Sequence, residues 1–118
     1  MSYNIVALPT FSIKLKKLAK KYKKIKYDLQ ELNRELSHNP RVGIALQHNC
    51  YKIRVANSST PTGKSGGFRV VYYFVDNNNK VFLMTIYSKT QKENLSENEL
   101  LELLKLNGLE KELKIRED

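Results

Sequence analysis

The residues of this sequence best suited to chemistry are a group of cations and one aromatic ring on and around three predicted strands. The group consists of Lys52, Arg54, Lys64, Arg69, Tyr87 and Lys89. Lys52 and Arg54 are two residues apart in one strand, so their side chains point to the same face of a sheet. Arg69 can approach that face from the next strand, and Tyr87 and Lys89 share one facing at the end of the third. Such a patch without carboxylates can hold phosphates and stack bases. The alternative is an ordinary exposed sheet face.

A loop beside this group carries part of a phosphate-binding motif. Gly63-Lys64-Ser65 matches the end of a P-loop, which reads G-x-x-x-x-G-K-[ST] between a strand and a helix. Ser58 stands where the motif requires its first glycine, and F-R-V-V-Y-Y-F after the loop predicts a strand. These departures exclude a nucleotide-binding P-loop, and we expect the glycines to let a long hairpin loop turn.

Other residue types with catalytic potential are few. His38 and His48 have no carboxylate or second thiol at metal-ligand spacing, so we expect no metal and no cofactor. A nuclease with two histidines as general acid and base stays open from spacing alone. Cys50 is the single cysteine, which excludes an internal disulfide. A low-pKa thiol is one reading of Cys50, and a small buried residue is the expected one.

The first part of the chain has the pattern of a strand followed by two helices. Residues 2–7 predict a short strand, and Pro9-Thr10 predicts its end and the N-cap of a helix. Apolar residues keep helical spacing over residues 11–22 and again over residues 25–36, ahead of Asn39-Pro40. Lysines fill the other helix faces, where we expect solvent exposure and long-range attraction to phosphate.

The rest of the chain changes to alternating, β-branched patterns and ends in a helix. Residues 41–49 predict a connecting loop, and strands are expected at 51–56, 68–75 and 81–87. Asp76 to Asn79 predict a hairpin turn, because Asn and Asp tolerate left-handed backbone. A capping box at Ser96 and Glu99 begins a leucine-rich helix, which ends near Asn107-Gly108.

The order of these elements defines the expected class of protein. Helices that come first and pack on a mainly antiparallel sheet, followed by a C-terminal helix, make an α+β fold. We expect a single domain over residues 1–118, with residues 106–118 as a candidate flexible tail. Because the apolar stretches are too short to span a bilayer, a cytoplasmic protein without membrane contact is expected.

Positive charge is concentrated in the first half of the chain. Residues 1–54 carry 12 Lys/Arg and 3 Asp/Glu, residues 55–95 carry 5 and 2, and residues 96–118 carry 4 and 7. The net charge of +9 favours a polyanionic partner, most simply nucleic acid, bound more weakly as salt rises. A solvated cationic face is the alternative.

Three central segments are typical of one protein family. They read Y-K-I-R-V-A, G-K-S-G-G-F-R-V-V-Y-Y-F and F-L-M-T-I-Y-S-K-T-Q-K-E-N-L-S. Together with L-P-T-F at the start of the first helix, they resemble the RelE/ParE toxin superfamily, and most of all its HigB-like RelE branch. The resemblance implies a compact microbial-ribonuclease-like fold and the toxin of a type II toxin–antitoxin pair. It also implies the activity, cleavage of mRNA in the ribosomal A site, and the partners: mRNA, the ribosome and a cognate antitoxin.

By this resemblance, the cations of the patch become site residues. The matches are Lys52, Arg54, Arg69 and Lys89 for catalysis and Lys64 and Tyr87 for RNA binding, and Tyr73 is a further RNA-binding candidate. The tyrosine that stacks on the substrate base in some RelE members falls near Leu95 here. Tyr87, or Tyr73 if it faces the patch, is therefore expected to take that role.

The chemistry implied by the resemblance needs cations rather than a metal. The 2′-hydroxyl must lose a proton and attack phosphorus, negative charge must be stabilised, and the 5′-oxygen must leave protonated. We assign the base to Lys52, because like charges around a lysine disfavour its ammonium form. We assign Arg69 to stabilise the negative charge that develops on the phosphate oxygens, since a guanidinium group can form two hydrogen bonds to a phosphate. Arg54 or Lys89 is expected to protonate the leaving oxygen or to hold the backbone.

Two other function classes stay open at this point. ParE-like members of the superfamily poison DNA gyrase by binding, without nuclease chemistry. A non-enzymatic RNA- or ribosome-binding module would also suit the charge distribution. The cluster of four catalytic matches favours the nuclease, because a gyrase binder has no need of it.

Overall fold

The computed structural model describes residues 2–61, 66–76, 79–91 and 94–109, which form five strands and three helices. In chain order these are β1 (Asn4–Ala7), α1 (Pro9–Lys21), α2 (Ile25–His38), β2 (Ile44–Ala45), β3 (Cys50–Val55), β4 (Phe68–Phe74), β5 (Lys80–Ser88) and α3 (Glu97–Leu106). The expected α+β class is confirmed. The predicted RNA-binding residue Lys64, the centre of the predicted hairpin turn (77–78) and most of the candidate tail (110–118) lie outside the described residues.

The strands form one sheet in the order β1-β5-β4-β3-β2. β1 runs parallel to β5, and the other neighbouring pairs are antiparallel. Because side chains alternate across a strand, the central strands supply two apolar faces. One face, with Val70, Tyr72 and Phe74, packs against α1 and α2. The other, with Val71 and Tyr73, packs against α3.

The two N-terminal helices follow the predicted apolar spacing. Phe11 and Leu18 of α1 and four residues of α2, Ile25, Leu29, Leu32 and Leu36, are buried on the sheet. The expected break falls at residues 22–24, where Tyr22 has extended backbone and closes α1. The predicted N-cap at Pro9-Thr10 is wrong, since Leu8 is the N-cap and Pro9 occupies the first turn, where its missing N–H costs nothing. Thr10 lies inside the helix and donates its hydroxyl proton to the Met84 carbonyl at 2.6 Å.

The region predicted as a plain connecting loop, residues 41–49, contains the short strand β2. Ile44 pairs with Lys52 and Ala45 with Tyr51, so β2 covers only the first part of the β3 edge. His48 and Asn49 both have φ of 61° and turn the chain back into β3. A strand of two residues is too short to leave an alternating pattern in the sequence.

The C-terminal helix begins and ends where the sequence predicted. The Ser96 hydroxyl accepts the Glu99 N–H at 3.1 Å, and the Glu99 carboxylate accepts the Ser96 N–H at 2.9 Å. Gly108 follows the helix with φ of 70°, the left-handed conformation that favours glycine. Leu100 and Leu104 are buried against the sheet, so α3 is held on the face that carries Lys52 and Arg69.

Candidate nucleic-acid interface

The strand register brings three of the four predicted catalytic residues onto one face of the sheet. Arg54 of β3 pairs with Arg69 of β4, and Arg69 pairs with Tyr87 of β5. Directly paired residues of antiparallel strands lie on the same face with Cα atoms roughly 4.5–5.5 Å apart. Lys52 stands one row further along β3, opposite Val71. We call the residues Lys52, Arg54, Arg69 and Lys89 the cation row.

Lys89 joins the cation row through a backbone contact at the end of the sheet. It follows β5 and its N–H donates to the Gly67 carbonyl at 3.2 Å, two residues before Arg69. Gly67 lies so close to β3 that a Cβ there would come within 2.0 Å of the Val55 carbonyl oxygen. Only glycine lets the three strands close up at this point, and the closure keeps Lys89 beside Arg69.

The cations of the row differ in accessibility. Arg54 and Lys89 are exposed and Lys52 is half-buried, whereas only 5% of Arg69 is exposed. Arg69 donates a side-chain N–H to the Phe68 carbonyl at 3.3 Å. Burial raises the pKa of the neighbouring Tyr87 above its ordinary value, and the positive charge of Arg69 partly offsets this effect. Arg69 therefore lies beneath the surface on which Arg54 and Lys52 are presented.

The two tyrosines predicted to contact bases are covered in this structure. Tyr73 faces the same side as Arg69, as the prediction required, but only 2% of it is exposed. Tyr87 is 7% exposed, and both pack in the core cluster that holds Leu100 and Leu104 of α3. With α3 in place, neither ring offers a free face to a base.

A contact that the sequence did not predict ties the cation row to the C-terminal segment. The Lys52 ammonium donates to the Oδ1 of Asn94 at 2.9 Å. Asn94 lies between β5 and α3, 42 residues from Lys52 in the chain. No short-range pattern in the sequence could have indicated this pair, because it depends on where α3 sits on the sheet.

An open groove lies between the end of β3 and α2, and carboxylates of α2 line it. Arg54, Val55 and Ala56 form one side of an open groove of about 690 Å³, and α2 forms the other with Asp28, Glu31 and Glu35. Because α2 packs on the sheet face opposite to the one that carries Lys52, Arg54 and Arg69, this groove does not test the expectation of a patch without carboxylates, which stays a prediction. Asp28 is already engaged, since it accepts the Ser58 N–H at 3.1 Å, while Glu31 pairs with Arg34.

A second cationic surface covers α1 and the turn into α2. Eight lysines fall within residues 14–26, and no acidic residue occurs before Asp28. All eight are exposed: Lys14, Lys16, Lys17, Lys20, Lys21, Lys23, Lys24 and Lys26. Lys14 and Lys17 also line a pocket of about 570 Å³ together with Tyr87 of β5, and Glu99 and Glu102 of α3 line the same pocket.

The remaining candidates take structural positions. Cys50 is fully buried, and burial raises the pKa of its thiol to about 12, which confirms the expected small buried residue. His48 Nε2 lies 3.9 Å from the Glu97 Oε1. His38 Nδ1 lies 2.8 Å from the Arg34 carbonyl oxygen, within α2. In the described ranges no three His, Cys, Asp or Glu side chains are grouped to hold a metal ion. None of the helices described is long and apolar enough to cross a membrane.

Comparison with known proteins identifies the fold. No family model matches the chain. A free E. coli RelE toxin in which two arginines are replaced by alanine has a TM-score of 0.57 at 20% identity, covering 89% of this chain and 97% of that one. The RelBE2 toxin–antitoxin complex of Mycobacterium tuberculosis gives a TM-score of 0.56 at 18% identity, covering 75% and 92%. The same E. coli mutant bound to a peptide of the antitoxin RelB gives 0.53 at 21%, covering 86% and 93%. The chain thus has the RelE toxin fold.

Proposed function

We propose that this chain is the toxin of a type II toxin–antitoxin pair, of the HigB-like RelE branch, and that it cleaves mRNA in the ribosomal A site. The observation that carries the proposal is the cation row, in which Lys52, Arg54 and Arg69 meet on one face of adjoining strands. The RelE fold and the resemblance of the central segments support the same assignment. Because the proposed substrate is mRNA on ribosomes, we propose that the chain acts in the cytoplasm.

The proposed reaction uses the RNA's own 2′-hydroxyl as nucleophile. Lys52, as a neutral amine, accepts the proton of that hydroxyl, and the 2′-oxygen forms a bond to the adjacent phosphorus. The bond from phosphorus to the 5′-oxygen then breaks, and the Lys89 ammonium donates a proton to that oxygen. Arg54 and Arg69 stabilise the added negative charge on the phosphate oxygens. The products are a 2′,3′-cyclic phosphate and a 5′-hydroxyl, and neither a metal nor a cofactor takes part.

The accessibility of the cation row sets which residues can touch RNA first. Lys52, Arg54 and Lys89 can reach a phosphate with α3 in place. Arg69 needs a local shift of its side chain, because it is almost covered. Tyr73 and Tyr87 would contact bases only in a form in which α3 has moved. Lys64, which precedes β4 in the sequence, is proposed to hold phosphate.

An antitoxin is the proposed protein partner. Two of the similar structures contain a RelE-type toxin bound to an antitoxin or antitoxin peptide. We propose that a cognate antitoxin binds this chain and blocks access to the cation row. The mixed surface of leucines and acidic residues on α3 stands next to that row, where such a partner would dock.

A cleavage assay on programmed ribosomes tests the proposal. The purified chain is added to ribosomes that hold a defined mRNA with an empty A site, and the products are mapped by primer extension. We expect a cut within the A-site codon, no cut in free mRNA, and loss of the cut when the cleaved nucleotide carries 2′-deoxyribose. Lys52→Ala should abolish cleavage, whereas Lys80→Ala, at the opposite end of β5, should retain it.

A gyrase assay on plasmid DNA, run beside the ribosome assay, separates a gyrase poison from a nuclease. Intact mRNA on ribosomes, together with stabilised cleavage complexes of gyrase on plasmid DNA, would replace the proposal by a ParE-like poison. Binding to ribosomes without any cut would leave a non-enzymatic module.

A further inference from the structure

We propose that Asn94 is a positioning residue for Lys52, an inference that rests on the function proposed above. The Lys52 ammonium donates to the Asn94 Oδ1 at 2.9 Å, an ordinary length for a strong hydrogen bond. A lysine ends in a compact charge on four flexible carbon–carbon bonds, so its amine takes a fixed place only when a partner holds it. Asn94 supplies that partner from outside the sheet.

The segment that carries Asn94 is itself anchored. The next residue, Leu95, packs against the core cluster beneath α3. Ser96 is the N-cap of α3 and forms both hydrogen bonds of its capping box with Glu99. At the far end of α3, the Asn107 side chain donates to the Thr10 hydroxyl at 3.0 Å. Asn94 is therefore held in place relative to the sheet through α3, and its hydrogen bond holds the Lys52 amine.

The neutral amide of Asn94 suits this task. An acceptor is needed to orient the amine, but a carboxylate at this place would favour the charged ammonium, which cannot accept a proton. Among the described residues, the nearest members of the cation row are Arg54, two residues along β3 from Lys52, and Arg69, which pairs with Arg54. Glu97, at the start of α3, lies against His48. Asn94 thus orients Lys52 without adding a negative charge to the row.

The first test compares two asparagines of the same region. Asn94→Ala removes the acceptor, and Asn98→Ala removes an exposed side chain in the first turn of α3 as a matched control. Single-turnover cleavage on programmed ribosomes should fall about 10- to 100-fold in Asn94→Ala, since small misplacement of a reacting group has effects of this size. The ribosome concentration for half-maximal rate should stay unchanged, and Asn98→Ala should match the unmodified chain.

A conservative variant distinguishes positioning from a merely structural role. Asn94→Asp keeps an acceptor of the same size but adds a negative charge that holds the proton on Lys52. Cleavage should therefore be restored only at higher pH, with the acid limb of the pH–rate profile moved upward. A profile of unchanged shape in Asn94→Asp would contradict the proposal. So would a faster reaction in Asn94→Ala, which would mean that the bond restrains Lys52 in an inactive place.

A measurement without RNA keeps the inference testable if no cleavage occurs. Competitive labelling of lysine amines, read by mass spectrometry, gives the reactivity of Lys52 relative to the exposed Lys80 in the same sample. Asn94→Ala should raise the Lys52 reactivity severalfold, and Asn98→Ala should leave it unchanged. An inactive chain in which Asn94→Ala still raises this reactivity would refute the proposed nuclease function and retain the positioning contact. Equal reactivity in both variants would overturn the positioning role itself.

Discussion

At the scale of single residues, the arrangement divides the predicted catalytic cations into exposed and covered ones. Arg54 and Arg69 are paired across β3 and β4, yet only Arg54 is open to solvent. An exposed arginine can form two hydrogen bonds to a phosphate without any change in the fold. Arg54 therefore gives the cleanest test of the row, because its removal leaves the core intact.

Arg54→Ala should lower the rate of mRNA cleavage on ribosomes by about 100-fold, the usual effect of losing one donor to a developing negative charge. The free energy of unfolding should change by no more than about 0.5 kcal/mol, since the side chain is at the surface. Arg54→Lys serves as the control, because it keeps the charge and loses the planar fork. Cleavage at the normal rate in Arg54→Ala would remove this residue from the site.

The buried thiol of Cys50 predicts how stability depends on pH. Its pKa is raised from 9.0 to about 12 by burial, so the unfolded chain releases the proton first. The stabilisation is complete below pH 9.0 and is lost as the pH rises toward 12. The free energy of unfolding should drop by roughly 1 kcal/mol from this group between pH 7 and pH 10.

Urea unfolding at these two pH values checks the Cys50 prediction. Between these two pH values, the free energy of unfolding of Cys50→Ala should fall less than that of the unmodified chain, and the difference should equal the contribution of the thiol. Tyr72, whose pKa burial also raises to about 12, remains in both proteins and cancels in the comparison. An identical loss of stability in both chains would show that the thiol is not buried as described.

Sequence reasoning at this scale succeeded where a pattern is local. Lys52 and Arg54 share a strand, and their common facing follows from the period of two. The pairing of Arg54 with Arg69 depended on the strand register, which a hairpin with a long loop does not fix in the sequence. The burial of Tyr73 and Tyr87 could not be predicted, because the sequence does not state which face α3 covers.

At the scale of elements, α3 packs on the sheet face that carries the cation row, and Asn94 before it contacts Lys52. Its position depends on two buried leucines, its capping box and the contact of Asn107 with Thr10. Leucine spacing and the S-x-x-E signature predicted its existence and its ends. Its place on the sheet depends on tertiary contacts, which the local sequence does not specify. The same holds for the short strand β2, which pairs with β3 through only two residues.

Ser96→Ala should destabilise the protein by about 1 kcal/mol, because the capping serine satisfies a backbone N–H of the first turn. Ser12→Ala, an exposed serine of α1, is the matched control and should cost less. Chemical unfolding of both variants gives the difference. Equal effects would mean that the capping box does not hold the start of α3.

At the scale of the whole molecule, charge is distributed in a way that suits a large polyanion. The net charge is +9, and the acidic excess is confined to residues 96–118. The lysines of α1 run from Lys14 to Lys21, about 10 Å by the rise of a helix, and Lys14 and Lys17 share a pocket with Tyr87. In the proposed function, the lysines of α1 would attract ribosomal RNA at long range, and the cation row would contact the scissile phosphate.

The lysine surface predicts a measurable salt dependence. Lys16 and Lys20 are one turn apart on the exposed side of α1, and the double change to glutamine should weaken ribosome binding. The slope of the logarithm of affinity against the logarithm of salt should fall by about 0.7–0.9 for each phosphate that the variant no longer neutralises. Lys80→Gln is the control. A slope that does not change would show that this surface does not bind the ribosome.

The most direct test of the proposed function maps the 5′ ends of cellular mRNAs minutes after the chain is induced from a tightly repressed promoter. The unmodified chain should produce new 5′ ends at a fixed position within translated codons, and Arg69→Ala and Arg54→Ala should not. Growth arrest with intact mRNA would contradict the nuclease and move the gyrase poison to first place.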